Sequence, residues 1–245
     1  MMPKIAVIIP FYTPDKLTQS LHVRCFESVS SDFIVIPSDD NIIRGGAASA
    51  RNRGLNYAFE NYTDLEYITF LDADDEFASN AYIEICEAIK EAPKDTQLIQ
   101  MNHKRVFSDG RQKLRQPNKA GIYTLNKLPN LWMSSVNKVY KADLLKDIRF
   151  DETLNHGEDE IFILMCLLKS RILYCSERVA MLHHKDNPNS LSTITSFEDL
   201  ISEQKALLNF MVEHKDDKEI YAAIYNRQSE LWGGNPTYKR IFTYG

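Results

Sequence analysis

Short apolar runs, each stopped by a proline or a polar cluster and each followed by a helix-length segment, constrain this chain more than any other feature. Lys4 to Ile9 runs to Pro10, Phe33 to Ile36 runs to Pro37, and Tyr67-Ile68-Thr69-Phe70-Leu71 runs to Asp72. Leu98 to Met101 is a fourth such run. Between them, residues 15–30 read as a helix, and Gly45-Gly46 opens an Ala-rich helix to about Tyr62. Residues 79–91 put Tyr82, Ile85, Cys86 and Ile89 on one helical face, the i, i+3, i+4, i+7 spacing. Strands alternating with helices imply right-handed crossovers and a mainly parallel sheet. A chain of 245 residues with 44% apolar composition can fill one large α/β domain or two small ones.

After residue 102 the pattern changes. Residues 103–117 suggest a hairpin around Ser108-Asp109-Gly110, and residues 172–184 suggest two short strands. Ile161 to Leu168 is apolar on all sides, which marks a buried helix. Residues 197–213 and 217–231 read as amphipathic helices, and the last dozen residues are aromatic and irregular. No repeat or linker composition divides the chain, so one compact domain with a helical C-terminal extension is expected.

The formal charge of -5 argues against indiscriminate nucleic-acid binding. No apolar run approaches the ~20 residues of a membrane span, and Met1-Met2-Pro3-Lys4 has no leader character. Cys25, Cys86, Cys166 and Cys175 lack C-x-x-C spacing, so reduced thiols in a cytoplasmic protein are expected.

The chemistry is expected where strands end. Asp72-Ala73-Asp74-Asp75 crowds carboxylates at the exit of an apolar strand. Such a group favours a hard divalent ion, although Asp is also a common helix cap. Pro10-Phe11-Tyr12 leaves strand one, where an aromatic ring can stack on a base. Gly45 to Gly54 offers small residues and free amides at a helix start, with Arg51 to meet a phosphate. Gly157-Glu158-Asp159-Glu160 opens the buried helix; the dipole there favours ionised carboxylates, and one can accept a proton. His183-His184-Lys185 offers imidazoles for a metal and a cation for a diphosphate. Taken singly, each segment also reads as an ordinary polar turn or solvated strand end.

In this order and spacing the segments resemble the family 2 glycosyltransferases of the GT-A fold. The resemblance rests on Ile9-Pro10-x-Tyr12, Ala50-Arg51-Asn52-x-Gly54 and Phe70-Leu71-Asp72-Ala73-Asp74-Asp75. It continues through Asn137-Lys138-Val139-Tyr140, Phe150-Asp151, Glu158-Asp159-Glu160-x-Phe162 and Lys185 to Ser190-Leu191-Ser192. It implies a Rossmann-like, mainly parallel sheet with flanking helices over residues 1–195. Residues 1–102 would be the nucleotide-sugar half, 103–195 the acceptor half, and 196–245 the helical extension. It also implies a UDP-sugar or related donor, Mn2+ or Mg2+, and transfer with inversion. Asp159 matches the catalytic base, with Glu158 beside it on the acceptor side. Asp74 matches the metal ligand and Asp72 the residue near ribose and metal. Arg51, Lys185, Pro10, Tyr12 and Asp39 match donor-side positions, and His183 or His184 is a further metal candidate.

The chain departs from the family's pattern in two places: His183-His184 replaces a stretch that is often aromatic, and Ile34-Val35-Ile36-Pro37-Ser38-Asp39-Asp40 reaches Gly45-Gly46 in a handful of residues. Either a β/α unit is missing or one strand combines two roles.

For the acceptor, Lys104, Arg105, Arg111, Lys113, Arg115 and Lys119 make the hairpin basic, against Asp109 alone. A solvated edge that deters strand pairing explains such charges. An anionic acceptor, whether an acidic glycan, a lipid-linked phosphate or a nucleic acid with a hydroxylated base, explains them too, through Arg111, Lys113 and Arg115. Trp132 is an aromatic candidate for packing on the acceptor sugar. Two rivals remain at this stage. A non-catalytic sugar-nucleotide-binding protein fits the short N-terminal half. A nucleotidyltransferase would be expected to carry a Gly-rich basic loop where Phe11-Tyr12-Thr13-Pro14-Asp15 stands.

Overall fold

A computed structural model describes residues 2–115, 119–125, 133–187 and 196–224. The core is a nine-stranded sheet in the order β2-β1-β3-β8-β5-β9-β4, with β6 beside β5 and β7 beside β9. The strands are β1 (Ile5–Phe11), β2 (Ile34–Asp39), β3 (Tyr67–Phe70), β4 (Glu76–Phe77), β5 (Leu98–Val106), β6 (Gln112–Arg115), β7 (Gly121–Thr124), β8 (Lys138–Lys141) and β9 (Ile172–His184). β1 runs parallel to β2 and β3, and β8 is antiparallel to both β3 and β5. β5 is parallel to β9. Hence β1, β2, β3, β5 and β9 all end on one edge, where open α/β sheets place their ligands.

The helices are α1 (Lys16–Glu27), α2 (Gly46–Asn61), α3 (Ala81–Glu91), α4 (Glu158–Ser170) and α5 (Phe197–Glu213), with a further helical stretch over 218–224. Asp15 caps α1 by accepting from the Thr18 amide, and Ser196 and Asp199 form a reciprocal capping box on α5. α2 lies unusually close to the sheet. A Cβ on Gly54 would stand 2.4 Å from Ile8 Cγ2, so only glycine lets the helix carrying Arg51 settle this deep.

Two expectations need revision. Residues 172–184 form one continuous strand rather than two. The polar Ser176-Glu177-Arg178 stretch lies at an irregularity opposite β5, whose register shifts around Asn102. Asn102 Nδ2 donates to the Glu177 carbonyl at 3.1 Å and replaces a ladder bond there. The short N-terminal half resolves as a missing unit. β2 alone lies outside β1, and α2 follows it directly through residues 40–45. Asp40 makes that junction compact by accepting from the Gly45 and Gly46 amides at 3.1 and 2.9 Å and from Arg53 at 2.8 Å.

An aromatic cluster ties the site's supports together. Phe150 and Phe162 stack with centroids 3.8 Å apart, and Phe70 meets both edge-on at 5.4 and 5.8 Å. Phe70 lies two residues before Asp72 and Phe162 three after Asp159, so this packing fixes the acidic turn against α4.

Candidate active site

Arg51 is the joint of the site. It is 4% exposed, projects from α2, and its guanidinium lies 5.3 Å from the Phe150 ring centre. Nη2 donates to Asp72 Oδ1 at 2.9 Å and Nη1 to Glu158 Oε1 at 2.9 Å, while Asp159 Oδ1 stands 3.4 Å from Nη1. One cation therefore spans the acidic turn after β3 and the acidic start of α4. Burial works against its charge, but Asp159, Asp72 and Glu158 outweigh that and raise its proton affinity. Burial pushes the Asp72 carboxyl up to about 7 against the pull of Arg51, with Asp74 and Asp159 adding repulsion. Glu158 is pushed up as well, first by burial and then by Asp159.

Asp159 Oδ2 accepts from Ser134 Oγ at 3.1 Å. Ser134 is held in turn by buried Lys138, whose Nζ donates to the Ser134 carbonyl at 2.7 Å. Burial lowers the Lys138 amine to about 7. The turn preceding α4 is locked from the far side. Gly157 adopts φ +83°, and His156 Nδ1 lies 3.0 Å from Glu203 Oε2 on α5. Glu203 and His156 line the same cleft as Asp159.

The acidic turn has its own scaffold. Asp75 is buried and already used, accepting from the His184 amide at 2.8 Å and meeting His183 Nδ1 at 3.0 Å. Asp74 Oδ2 accepts from Asn187 at 2.7 Å, and Arg24 of α1 donates to the Asp74 carbonyl at 2.7 Å while pairing with Asp186 at 2.6 Å. Asp72, Asp74 and Asp75 each offer an oxygen within 4.8 Å of the others. Their donor chemistry fits a hard divalent cation. An imidazole whose second nitrogen faces a carboxylate, as His183 faces Asp75, is the arrangement metal-binding histidines favour. His184 instead packs Nε2 against Glu76.

One cleft is lined by Pro10, Tyr12, Arg51, Asp72, Asp74, Glu158, Asp159, His183 and Lys185, and also by Arg115. Several expected residues sit elsewhere. Asp39 is exposed and turns its carboxylate to Asn41, at 2.7 Å from the amide, while its neighbour Asp40 lines the cleft. Lys113 is exposed on β6, and Arg111 pairs with Asp109 at 2.6 Å on the hairpin turn. Trp132, Ser190-Leu191-Ser192 and the aromatic C-terminal tail lie outside the described residues.

Sequence reading missed Arg24, Arg105, Ser134, His156 and Glu203. Arg105 was visible only as one hairpin cation among several, and nothing local links Glu203 to a turn 46 positions earlier. Buried His103, whose ring meets that of half-buried His183 edge-on at 6.1 Å, was also unremarked; burial and its cationic neighbours hold it down to about 3.

The model of glycosyl transferase family 2 matches residues 32–149. The minor teichoic acid biosynthesis protein GgaB of Bacillus subtilis (strain 168) is 26% identical over 184 residues, 70% of this chain. The chain spans only 20% of that relative's length. Among solved structures, S. aureus TarS 1–349 in complex with UDP-GlcNAc superposes with TM-score 0.74 at 18% identity, covering 99% of this chain and 76% of that one. The same protein in complex with UDP gives 0.71 at 20%, covering 99% and 75%. The sheet with its reversed central strand β8 and its ligand edge is thus the GT-A-like fold of those structures, and the segment from β2 to the end of β8 is similar to glycosyl transferase family 2.

Proposed function

We propose that this protein transfers a sugar from a nucleotide-diphosphate donor, UDP-linked, to an acceptor hydroxyl with inversion of the anomeric carbon. The observation that carries this reading is Arg51 holding Asp72 of the acidic turn and Glu158–Asp159 of α4 in one cleft, so donor-side and acceptor-side carboxylates share a frame. The match to glycosyl transferase family 2 and the UDP and UDP-GlcNAc complexes of TarS support the donor class.

In this reading Asp159 accepts the proton of the acceptor hydroxyl as its oxygen bonds to the anomeric carbon. The bond from that carbon to the diphosphate breaks on the opposite face, and the nucleoside diphosphate leaves. Ser134 orients the base, and Arg51 keeps negative charge on the carboxylates tolerable as they approach one another. Lys185, exposed at the end of β9, meets the leaving diphosphate. Pro10 and Tyr12 border the nucleoside. Asp74, Asp72 and His183 would hold a divalent cation, Mn2+ or Mg2+, with Asp75 orienting the imidazole. Such a cation, when bound, offsets charge growing on the diphosphate. The acceptor in this reading is anionic, a glycan or polymer bearing negative groups, because cations of the hairpin border its entrance.

Thermal melting with a panel of nucleoside diphosphates, each with manganese and with EDTA, tests the reading. A ligand that binds only the folded state raises the midpoint by mass action. UDP is expected to raise it only with manganese, and Asp74→Ala is expected to abolish the rise. A rise with UDP that persists in EDTA would remove the metal role. No rise with any nucleotide would favour a protein that has lost donor binding with its missing β/α unit.

A further inference from the structure

We propose that Arg105 and Arg115 form an anion subsite in this cleft that takes a phosphate group of the acceptor; the inference rests on the glycosyl-transfer reading and specifies its acceptor class. The cross-strand pairs define the geometry. Antiparallel pairing sets His103 opposite Arg115 and Arg105 opposite Lys113, and parallel pairing sets Arg105 beside His183. Residues paired this way project from one face of a sheet. That face borders the cleft, which Arg105 and Arg115 line together with Asp159.

Most described arginines are held by an acid; Arg44 and Arg149 are not, but Arg44 lies over the Tyr12 ring and Arg149 donates to Asn56 and to backbone carbonyls. Arg24, Arg51, Arg53, Arg111 and Arg178 each pair with a carboxylate. Among the described residues no acid pairs with Arg105 or Arg115, although acids outnumber bases in the chain. The Nε–H of Arg105 is enclosed and donates to no partner among the described residues. Two like charges gathered without a counter-ion repel one another, an arrangement that becomes favourable when an anion sits between them. Edge protection accounts for Arg115 on the outer strand β6 but not for Arg105. β5 is flanked by β6 on one side and by β9 on the other, so Arg105 lies inside the sheet, where no edge needs guarding.

Phosphate suits the pair better than carboxylate. Two guanidinium forks from adjacent strands present more donors than two carboxylate oxygens can accept, whereas phosphate adds further oxygens. The donor diphosphate is the other possible source of that anion. In the glycosyl-transfer reading Lys185 and the acidic turn serve that diphosphate; because the Lys185 amide bonds the Val106 carbonyl next to Arg105, at 3.2 Å, the UDP affinity of the double variant decides between the two sources.

Titration calorimetry on the full chain, with UDP and manganese present, tests this with two probes: a glycerol phosphodiester trimer and an uncharged triglycerol. The parent is expected to bind the phosphodiester at least about tenfold more tightly, with affinity falling as salt rises. Arg105→Gln with Arg115→Gln is expected to erase that preference while UDP affinity stays within about twofold. Lys104→Gln, a cation of the same strand facing the other way, is expected to leave it intact. Arg115→Gln alone serves if the double variant does not fold, because β6 is an outer strand.

Equal affinity for both probes in the parent overturns the proposal. So does an equal loss from Lys104→Gln, which would mean diffuse attraction, or a loss of UDP affinity in the double variant, which would assign the arginines to the donor. A parent that prefers an oligouronate to the phosphodiester overturns it as well. Absence of UDP binding in the parent, with phosphodiester preference retained, would sink the glycosyl-transfer reading and leave the subsite standing.

Discussion

Replacing Gly157 by alanine should damage the turn before α4 without removing a charged group. Gly157 precedes α4 at φ +83°, a left-handed conformation that costs a residue with a Cβ about 1–2 kcal/mol. The new methyl would also lie 2.4 Å from Glu203 Cγ and 3.0 Å from its Cβ and Cδ. Glu203 is 4% exposed, so it cannot retreat into solvent without moving α5. Retreat also breaks its bond to His156, whose side chain is 32% exposed, a loss of about 1–2 kcal/mol after solvent screening. The sum is about 2–4 kcal/mol, which for a chain of this size lowers the melting midpoint by on the order of 10 °C. Urea unfolding of the parent, Gly157→Ala, Glu203→Ala and the double variant completes a cycle. Shortening Glu203 removes the obstructing atoms, so the double variant should recover part of the clash, and the two losses should not add. Full additivity, or a Gly157→Ala midpoint within about 1 °C of the parent, would refute the claim that α5 braces the turn before α4.

Three further outcomes are expected. Arg51→Met leaves Asp72, Glu158 and Asp159 facing one another without their shared cation; urea unfolding should show a loss of about 3–5 kcal/mol, and a loss under about 1 kcal/mol would mean the carboxylates find other relief. Asp159→Asn should abolish sugar transfer while the manganese-dependent melting rise with UDP survives, and retained turnover would remove Asp159 as the base. The Glu203 hydrogen bond raises the His156 proton affinity in the folded state above its ordinary value near 6.5, so the stability it adds is complete below about pH 6.5 and fades as pH rises through the folded value. Midpoints measured from pH 5.5 to 8.5 should therefore fall more in the parent than in Glu203→Gln, and parallel profiles would contradict the pairing.

The strand exits were legible because burial leaves a local signature. The run from Tyr67 to Leu71 is apolar and Asp72 is not, so the end of β3 and the acidic turn could be read from neighbours alone. The same holds for α4, apolar on all sides after an acidic first turn, and for the hairpin around Gly110. Local reading failed where a polar patch had a distant purpose. Residues 172–184 read as two short strands, yet the polar Ser176-Glu177-Arg178 stretch stays within one strand because Asn102 bonds it from β5 and Arg178 is held by Glu84 and Glu91 of α3.

Sequence alone therefore determined the α/β class, the strand order of chemistry along the chain, and the identity of Asp72, Asp74, Glu158 and Asp159 as the acids of interest. Tertiary structure decided what those acids share and what surrounds them. It joined Arg51 to carboxylates 21 and 107 positions away, brought Glu203 to His156 across 47, and separated Arg105 and Arg115 from the other cations of the hairpin. The reason is physical. Periodic burial is written in adjacent residues, because strand and helix geometry repeat every few positions. The partner of a buried charge is set by which chain segments the packed sheet and helices bring within about 3 Å, and no local pattern records that.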